Sequence, residues 1–125
     1  HDCGKLITPA LAEAQVHGGM SMAIGYGLSE QLLFDEKTGR PLNNNLLDYK
    51  IPTCMDIPDM EIRFVETHED SAPFGAKGMA EPPLIPQAAA VRNAILHATG
   101  VGMHKLPMNP QNLVHAFGEA GLIAQ

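Results

Sequence analysis

The sequence predicts an α+β fold in which a mixed sheet is covered by helices on one face. Three patterns predict it: an Ala- and Met-rich segment over 10–27, an alternation of apolar and charged residues over 60–66, and apolar residues at three- and four-residue steps over 88–98. The first and third patterns are typical of helices, and the second is typical of a half-buried strand. The predicted order is helix, strand, strand, helix, helix.

The first helix is predicted from the Thr8-Pro9 pair, in which Thr is a suitable N-cap and Pro fits the first helical position. We expect the helix to run from Ala10 to about Gly27. Gly18-Gly19 and Gly25 lie inside it, and each costs ~1 kcal/mol relative to alanine in a helix interior. These glycines favour a close approach of the backbone to another element or to a ligand, and tight helix packing explains them equally well.

The middle of the chain is predicted to hold two strands separated by irregular structure. Residues 31–34 form the first strand, and residues 35–40, which include Thr38-Gly39, form a turn or hairpin loop. Residues 41–58 contain three prolines and three consecutive asparagines, so we expect an extended, irregular segment. Residues 60–66 form the second strand, and the polar residues 68–71 form a surface loop.

Two helices are predicted in the last third of the chain. The apolar repeat predicts a helix from about Ile85 to Thr99, closed by Gly100. Asn109-Pro110 has the chemistry of an N-cap followed by a first helical residue, so the last helix begins there. We expect it to run to about Phe117 and to stop at Gly118.

The composition predicts one domain or less, with a core too thin to stand alone. The chain has 125 residues, of which 5% are aromatic and none is Trp, and seven methionines make up part of the apolar residues. Methionine adapts to irregular gaps and therefore suits packing against another polypeptide. We interpret residues 1–125 as a single partial domain.

Charge and hydropathy exclude two classes of partner. The formal net charge is −6 and the sequence has no Lys/Arg run, so nucleic-acid binding has no electrostatic support. No apolar stretch approaches the ~20 residues that a membrane-spanning helix needs. We therefore expect neither nucleic acid nor membrane as a partner.

The histidines and cysteines do not form a recognisable metal site. The six histidines show neither an HxxxH nor an HExxH pattern, so we predict no direct metal ligand. Cys3 and Cys54 form no CxxC pair and are too few for an iron–sulfur cluster, which takes about four thiolates. We interpret them as reduced packing residues of a cytoplasmic protein.

A glutamate inside a run of small residues is the strongest candidate for chemistry. Glu81 follows Gly75-Ala76-Lys77-Gly78-Met79-Ala80 and precedes Pro82-Pro83. Glycines and alanines let a backbone approach a large group closely, and the prolines fix the direction in which the chain leaves. Glu81 also precedes a predicted helix, whose N-terminal end favours negative charge. From residue chemistry alone, Glu81 is either a catalytic carboxylate or a solvated loop residue.

Several motifs in one register resemble the xanthine dehydrogenase and aldehyde oxidase family of molybdenum hydroxylases. The segment 75–86 resembles the catalytic-glutamate loop of that family, and the other motifs are His1-Asp2-Cys3-Gly4, Ile7-Thr8-Pro9, Gly18-Gly19, Ile24-Gly25-Tyr26-Gly27-Leu28-Ser29-Glu30 and Asn45 to Pro52. The resemblance covers residues 1 to about 117 and fits the C-terminal part of the molybdopterin-binding subunit. Because the chain begins with His and the resemblance begins inside a motif, we expect a processed or truncated segment.

The resemblance implies a cofactor, partners and roles for named residues. It implies a molybdopterin-type molybdenum cofactor, with iron–sulfur and FAD groups in partner chains or domains, and a sheet completed by another part of the subunit. Glu81 would be the general base in the hydroxylation of a heterocycle or an aldehyde. The implied cofactor contacts are Gly75, Ala76, Lys77, Gly78, Met79, Ala80 and Met22. Lys77 has two open interpretations, a phosphate contact or a solvated lysine.

Two residues depart from the pattern of the family. Ala80 stands where the family often has glycine, and Met22-Ala23 stands where it often has Gln-Gly. A methionine cannot donate the hydrogen bond of that glutamine, which puts a cofactor contact at Met22 in doubt. The alternative functions are a non-catalytic assembly subunit of such a complex and a free-standing small-molecule-binding domain. The form Glu81-Pro82-Pro83-Leu84 favours the xanthine dehydrogenase branch over carbon monoxide dehydrogenases.

Overall fold

Three helices joined by long irregular segments make up the computed structural model, which describes residues 1–124. Helix α1 is Pro9–Leu28, helix α2 is Gln87–Thr99 and helix α3 is Pro110–Glu119, and a short 3₁₀ turn spans Pro73–Gly75. Helix α2 packs against α1. All three predicted helices are therefore confirmed.

The helix ends follow local backbone chemistry. Helix α2 begins two residues later than predicted because Pro86 disfavours a helical conformation for Ile85. It ends at Thr99 and is closed by Gly100 as predicted, with φ +76° at Gly100. The Asn109 side chain accepts a hydrogen bond from the backbone N–H of Asn112 at 2.9 Å and so caps α3. Gly118 does not stop α3 as predicted. The helix ends at Glu119, and the left-handed residue that follows is Gly121 (φ +71°).

The predicted mixed sheet is not confirmed, because residues 1–124 contain only isolated bridges. These join Asp2 to Val65, Gly4 to Ala76 and Phe34 to Pro41. Residues 60–66 keep the alternation of exposure expected of a strand, with 60, 62 and 64 partly covered and 61, 63 and 65 exposed. A strand forms a ladder only when a neighbour runs along its length. Within the described chain, the only strand pairing of this segment is the isolated bridge between Val65 and Asp2.

The first predicted strand is replaced by a short hairpin-like turn. The backbone N–H of Asp35 donates to the carbonyl of Arg40 at 2.9 Å, which confirms the predicted turn. The side chain of buried Asn43 takes the place of a strand partner: its Oδ1 accepts from the N–H of Leu33 at 2.8 Å and its Nδ2 donates to the carbonyl of Gln31 at 2.7 Å. The irregular segment 41–58 and the loop 68–71 are as predicted.

Small residues on α1 allow the rest of the chain to approach it. Its buried positions are Ala12, Val16, Gly19, Ala23, Gly25 and Gly27. A Cβ placed on Gly19 would lie 3.1 Å from the Cβ of Pro83 and 3.3 Å from the backbone N of Leu84. A Cβ on Gly18 would meet nothing within 4 Å. Gly19 therefore permits a close contact between α1 and the segment 82–84, whereas Gly18 faces open space.

The core of the described residues is small. The buried hydrophobic residues are Cys3, Ala12, Val16, Ala23, Met103 and Met108, and Met108 is the largest side chain that is fully buried. Among residues 1–124, nineteen large apolar side chains are more than a third exposed, among them Leu46 at 82% and Met55 at 88%. A small core offsets less of the conformational entropy lost on folding than a large one does.

We therefore expect residues 1–125, expressed alone, to be loosely packed or aggregated. The measurements are thermal unfolding followed by circular dichroism and binding of a dye that reports exposed apolar surface, together with size-exclusion chromatography. A monodisperse monomer with a sharp cooperative melt would contradict this expectation and would favour a free-standing domain.

Candidate functional site

The loop that carries Glu81 is tied at its start to the beginning of the chain. The backbone N–H of Lys77 donates to the carbonyl of Cys3 at 2.7 Å, and the N–H of Lys5 donates to the carbonyl of Gly75 at 2.9 Å. These bonds lie on the two sides of the Gly4–Ala76 bridge. Residues 75–77 therefore have a fixed course against residues 3–5.

Asp2 adds side-chain bonds to the same junction. Its carboxylate accepts hydrogen bonds from Lys77 Nζ at 2.7 Å, from the N–H of Gly4 at 2.9 Å and from Thr67 Oγ1 at 2.8 Å. The bond from Lys77, followed by those from Gly4 and Thr67, lowers the pKa of Asp2 to about 2. Because the pKa is lowered on folding, this contribution to stability is complete above the ordinary pKa of 3.8 and is lost as the pH falls through about 2.

Two glycines at this junction have left-handed backbone conformations, which favour glycine. Gly4 has φ +65° and Gly75 has φ +75°. A Cβ on Gly4 would collide with the carbonyl oxygen of Gly75, and a Cβ on Gly75 would collide with the imidazole of His68. Phe74, the residue before Gly75, also has a positive φ of 57°, and its side chain is 82% exposed. The small size of Gly75 therefore serves a contact inside the chain.

The second half of the loop is not tied in this way, because its backbone donors have no partner among the described residues. Among residues 1–124, the N–H groups of Gly78, Met79, Ala80 and Glu81 donate to no protein acceptor. A Cβ on Gly78 would meet nothing within 4 Å. Gly78, Ala80 and Glu81 are exposed and Met79 is partly exposed, so solvent or a ligand reaches this row of donors.

Beyond Glu81 the chain makes a tight turn that rests on α1. The N–H of Leu84 donates to the carbonyl of Glu81 at 2.8 Å and closes the turn. Pro83 is buried over Gly19, and the hydroxyl of Tyr26 donates to the carbonyl of Leu84 at 3.2 Å. The backbone on this side of Glu81 is therefore held by helix α1.

The carboxylate of Glu81 is exposed and has no hydrogen bond or ion pair with another described residue. Helix α2 begins at Gln87, six residues after Glu81. An effect of the α2 N-terminus on the charge of Glu81 stays a prediction, since the field of a helix end falls off within one turn. What positions this side chain is the turn at 81–84.

A groove of about 310 Å³ lies between the loop and the first turns of α1. Its walls include Leu11 and Gln15 of α1 and Ala76, Lys77 and Met79 of the loop. The groove brings together three of the predicted contact residues. Met22 does not line it and lies 58% exposed further along α1.

Gln15 and Tyr26 also contact the loop and the turn, and neither was selected as a site residue from the sequence. Gln15 Nε2 donates to the carbonyl of Ala80 at 3.4 Å, and Tyr26 contacts Leu84 from the same helix. The one available signal was the Gly25-Tyr26-Gly27 motif, which is too short to define a dinucleotide-binding site. Within residues 1–124, no three His, Cys, Asp or Glu side chains lie close enough to hold a metal ion. None of the described helices is long and apolar enough to cross a bilayer.

Comparison with known proteins gives matches of one kind. Residues 1–58 match the family described as a molybdopterin cofactor-binding domain. A putative xanthine dehydrogenase molybdenum-binding subunit of Escherichia coli (strain K12) is 51% identical over 123 residues, which make up 98% of this chain and 16% of the relative. The nicotine 6-hydroxylase large subunit of Paenarthrobacter nicotinovorans is 41% identical over 118 residues, 92% of this chain and 14% of the relative.

The fold matches solved structures of the same kind. Quinoline 2-oxidoreductase from Pseudomonas putida 86 aligns with a TM-score of 0.85 at 37% identity, over 94% of this chain and 15% of that one. The chain spans about one-sixth of the length of the first curated relatives, of which it covers 16%. The chain therefore belongs to the xanthine dehydrogenase and aldehyde oxidase family of molybdenum hydroxylases, as a segment of the molybdenum-binding subunit.

Proposed function

We propose that this segment forms part of the cofactor site of a molybdenum-dependent hydroxylase, and that Glu81 is the general base of the reaction. The observation that carries the proposal is the state of Glu81: its carboxylate is exposed and unpaired among the described residues, on a backbone held at both sides. A general base needs a fixed position and a free carboxylate. The alternative of a non-catalytic assembly subunit leaves both properties without a use.

The row of unpaired N–H groups fits a cofactor of the molybdopterin type. Successive backbone N–H groups bind anionic atoms without adding a charged side chain. Gly78, Met79 and Ala80 would hold the cofactor, because their donors are free and the space at Gly78 is open. Gly75, Ala76 and Lys77 would act indirectly, since their backbone and the Lys77 side chain bond to the rest of the chain.

The division of chemistry follows from these positions. When bound, the cofactor supplies the redox chemistry of the hydroxylation. The Glu81 carboxylate accepts a proton from the attacking oxygen, which is derived from water. The substrate class we propose is an electron-poor heterocycle, because xanthine dehydrogenase and nicotine 6-hydroxylase relatives are 51% and 41% identical, whereas an aldehyde oxidoreductase subunit of Escherichia coli is 35% identical.

The rest of the site would come from the remainder of the molybdenum-binding subunit. The many exposed apolar side chains, and the segment 60–66 that has strand-like alternation but no ladder, support this part of the proposal. Electrons would leave through iron–sulfur and flavin groups in partner chains or domains.

The Gly78→Val variant tests whether the donor row faces the cofactor. Within the described chain Gly78 has room for a side chain and φ outside the left-handed region, so the variant is expected to fold. We expect molybdenum content per subunit to fall several-fold while the complex still assembles, measured by metal analysis and size-exclusion chromatography. Ala90→Val, at an exposed position of α2, is the matched control and is expected to retain the metal. Full metal occupancy with full turnover in Gly78→Val would mean that the loop faces elsewhere.

The Glu81→Gln variant tests the general base. It keeps the size of the side chain but cannot accept the proton, so we expect kcat to fall by about 10²–10⁴-fold, which is about 3–5 kcal/mol of barrier. Molybdenum and flavin content should be unchanged. Glu81→Asp should restore little activity because it withdraws the carboxylate by one methylene.

Glu36→Gln is the matched control for this experiment, since Glu36 is an exposed carboxylate in the turn at 35–40. We expect it to retain full turnover. Loss of metal in Glu81→Gln would give the residue a structural role, and near-normal turnover with full metal would remove it from the mechanism.

A further inference from the structure

The tyrosine of the Gly25-Tyr26-Gly27 motif is linked by hydrogen bonds to the turn that carries Glu81. The hydroxyl of Tyr26 donates to the carbonyl of Leu84 at 3.2 Å, across 58 residues of sequence. Leu84 in turn donates its N–H to the carbonyl of Glu81 at 2.8 Å. Two consecutive hydrogen bonds therefore connect the side chain of Tyr26 to the backbone of Glu81.

We propose that Tyr26 is a positioning residue for Glu81. The inference rests on the proposed role of Glu81 as general base. Tyr26 touches neither the Glu81 side chain nor, on this proposal, the substrate; it fixes the turn from which the carboxylate projects.

The orientation of the turn at 81–84 relative to α1 depends on Tyr26, because the other contacts around Glu81 do not fix that orientation. Upstream, Gly78 to Ala80 donate no backbone hydrogen bond within the described chain, and the bond from Gln15 Nε2 to the Ala80 carbonyl is long, at 3.4 Å. Downstream, Pro82 and Pro83 have no N–H to donate. The van der Waals contact of Pro83 with Gly19 limits how closely the turn approaches α1, but it does not favour one orientation of the turn. The hydrogen bond from Tyr26 does favour one orientation, because its strength depends on the angle at the donor.

The two flanking glycines fix the end of α1 that carries Tyr26. A Cβ on Gly25 would collide with the carboxylate of Glu30, whose backbone N–H donates to the carbonyl of Gly25 at 2.8 Å. The carbonyl of Gly27 accepts from the N–H of buried Met108 at 2.7 Å. The helix end therefore has closely packed neighbours on both sides of Tyr26, and its side chain is held towards the turn.

The test is Tyr26→Phe in the assembled enzyme, with Tyr49→Phe as the matched control. Tyr49 is the second of the two tyrosines in the chain, and its hydroxyl donates to Glu30 Oε2 at 2.8 Å instead of to the turn. For Tyr26→Phe we expect kcat to fall by about threefold to tenfold, the loss that one hydrogen bond accounts for. KM and molybdenum content should be unchanged, because the residue touches neither substrate nor cofactor. Tyr49→Phe should leave kcat unchanged, because the backbone bond from Glu30 to Gly25 does not involve the Tyr49 hydroxyl.

Two further measurements separate positioning from a general structural role. Amide hydrogen exchange at Leu84 should be faster in Tyr26→Phe than in the parent and in Tyr49→Phe, with or without the cofactor. In a Glu81→Gln background, Tyr26→Phe should lower kcat no further, because the carboxylate that it positions is already absent.

The outcomes divide the two proposals. If Glu81→Gln loses turnover but Tyr26→Phe keeps both kcat and the exchange rate at Leu84, the positioning role is overturned and the general base stands. An equal loss from Tyr26→Phe in both backgrounds also overturns the positioning role, since it would act on more than Glu81. Full turnover in Glu81→Gln overturns the general base, and the role of Tyr26 with it.

Discussion

The contact between the turn at 81–84 and the glycine side of α1 is the constraint on which the candidate site depends. Gly19 leaves the space in which Pro83 is buried, and a methyl group at this position would lie 3.1 Å from the proline ring. Because the helix and the turn touch here, Tyr26 reaches Leu84 from the same helix. The second fixed point is the junction of residues 3–5 with 75–77. Between the two lies a short stretch whose backbone donors have no partner among the described residues.

The sequence predicted the parts of the fold that local chemistry determines. Pro9, Gly100 and Asn109 mark helix ends through properties of single residues, and these ends lie where they were predicted or within one residue of the prediction. The predicted strands were not confirmed, because a strand forms only beside a neighbouring strand. A pattern such as that of residues 60–66 does not reveal whether that neighbour is present. The hydrogen bonds from Asn43 to the backbone of residues 31–33 were likewise invisible, since three consecutive asparagines indicate only an irregular segment.

The sequence did not distinguish the structural roles of the individual small residues before Glu81. The run of small residues before Glu81 suggested one surface against a cofactor, yet its two glycines differ. Gly75 has a positive φ and packs on His68, whereas Gly78 is open to solvent. Neighbouring Gly18 and Gly19 differ in the same way. Identity alone cannot separate a glycine that serves internal packing from one that leaves room for a ligand, because the difference lies in φ and in the distance to atoms that are remote in sequence.

The bonds that fix Glu81 join residues that are far apart along the chain, and this has a consequence for the order of folding. Lys77 and Asp2 are 75 residues apart, and Tyr26 and Leu84 are 58 residues apart. Long loops must close before such contacts can stabilise the chain. Helices stabilised by local hydrogen bonds therefore form earlier than the Lys77–Asp2 and Tyr26–Leu84 contacts. A chain in which only α1 and α2 have formed would therefore still lack an ordered Glu81. An ordered candidate site is then acquired at the end of folding, and helical content alone would overestimate the fraction of protein in which Glu81 is ordered.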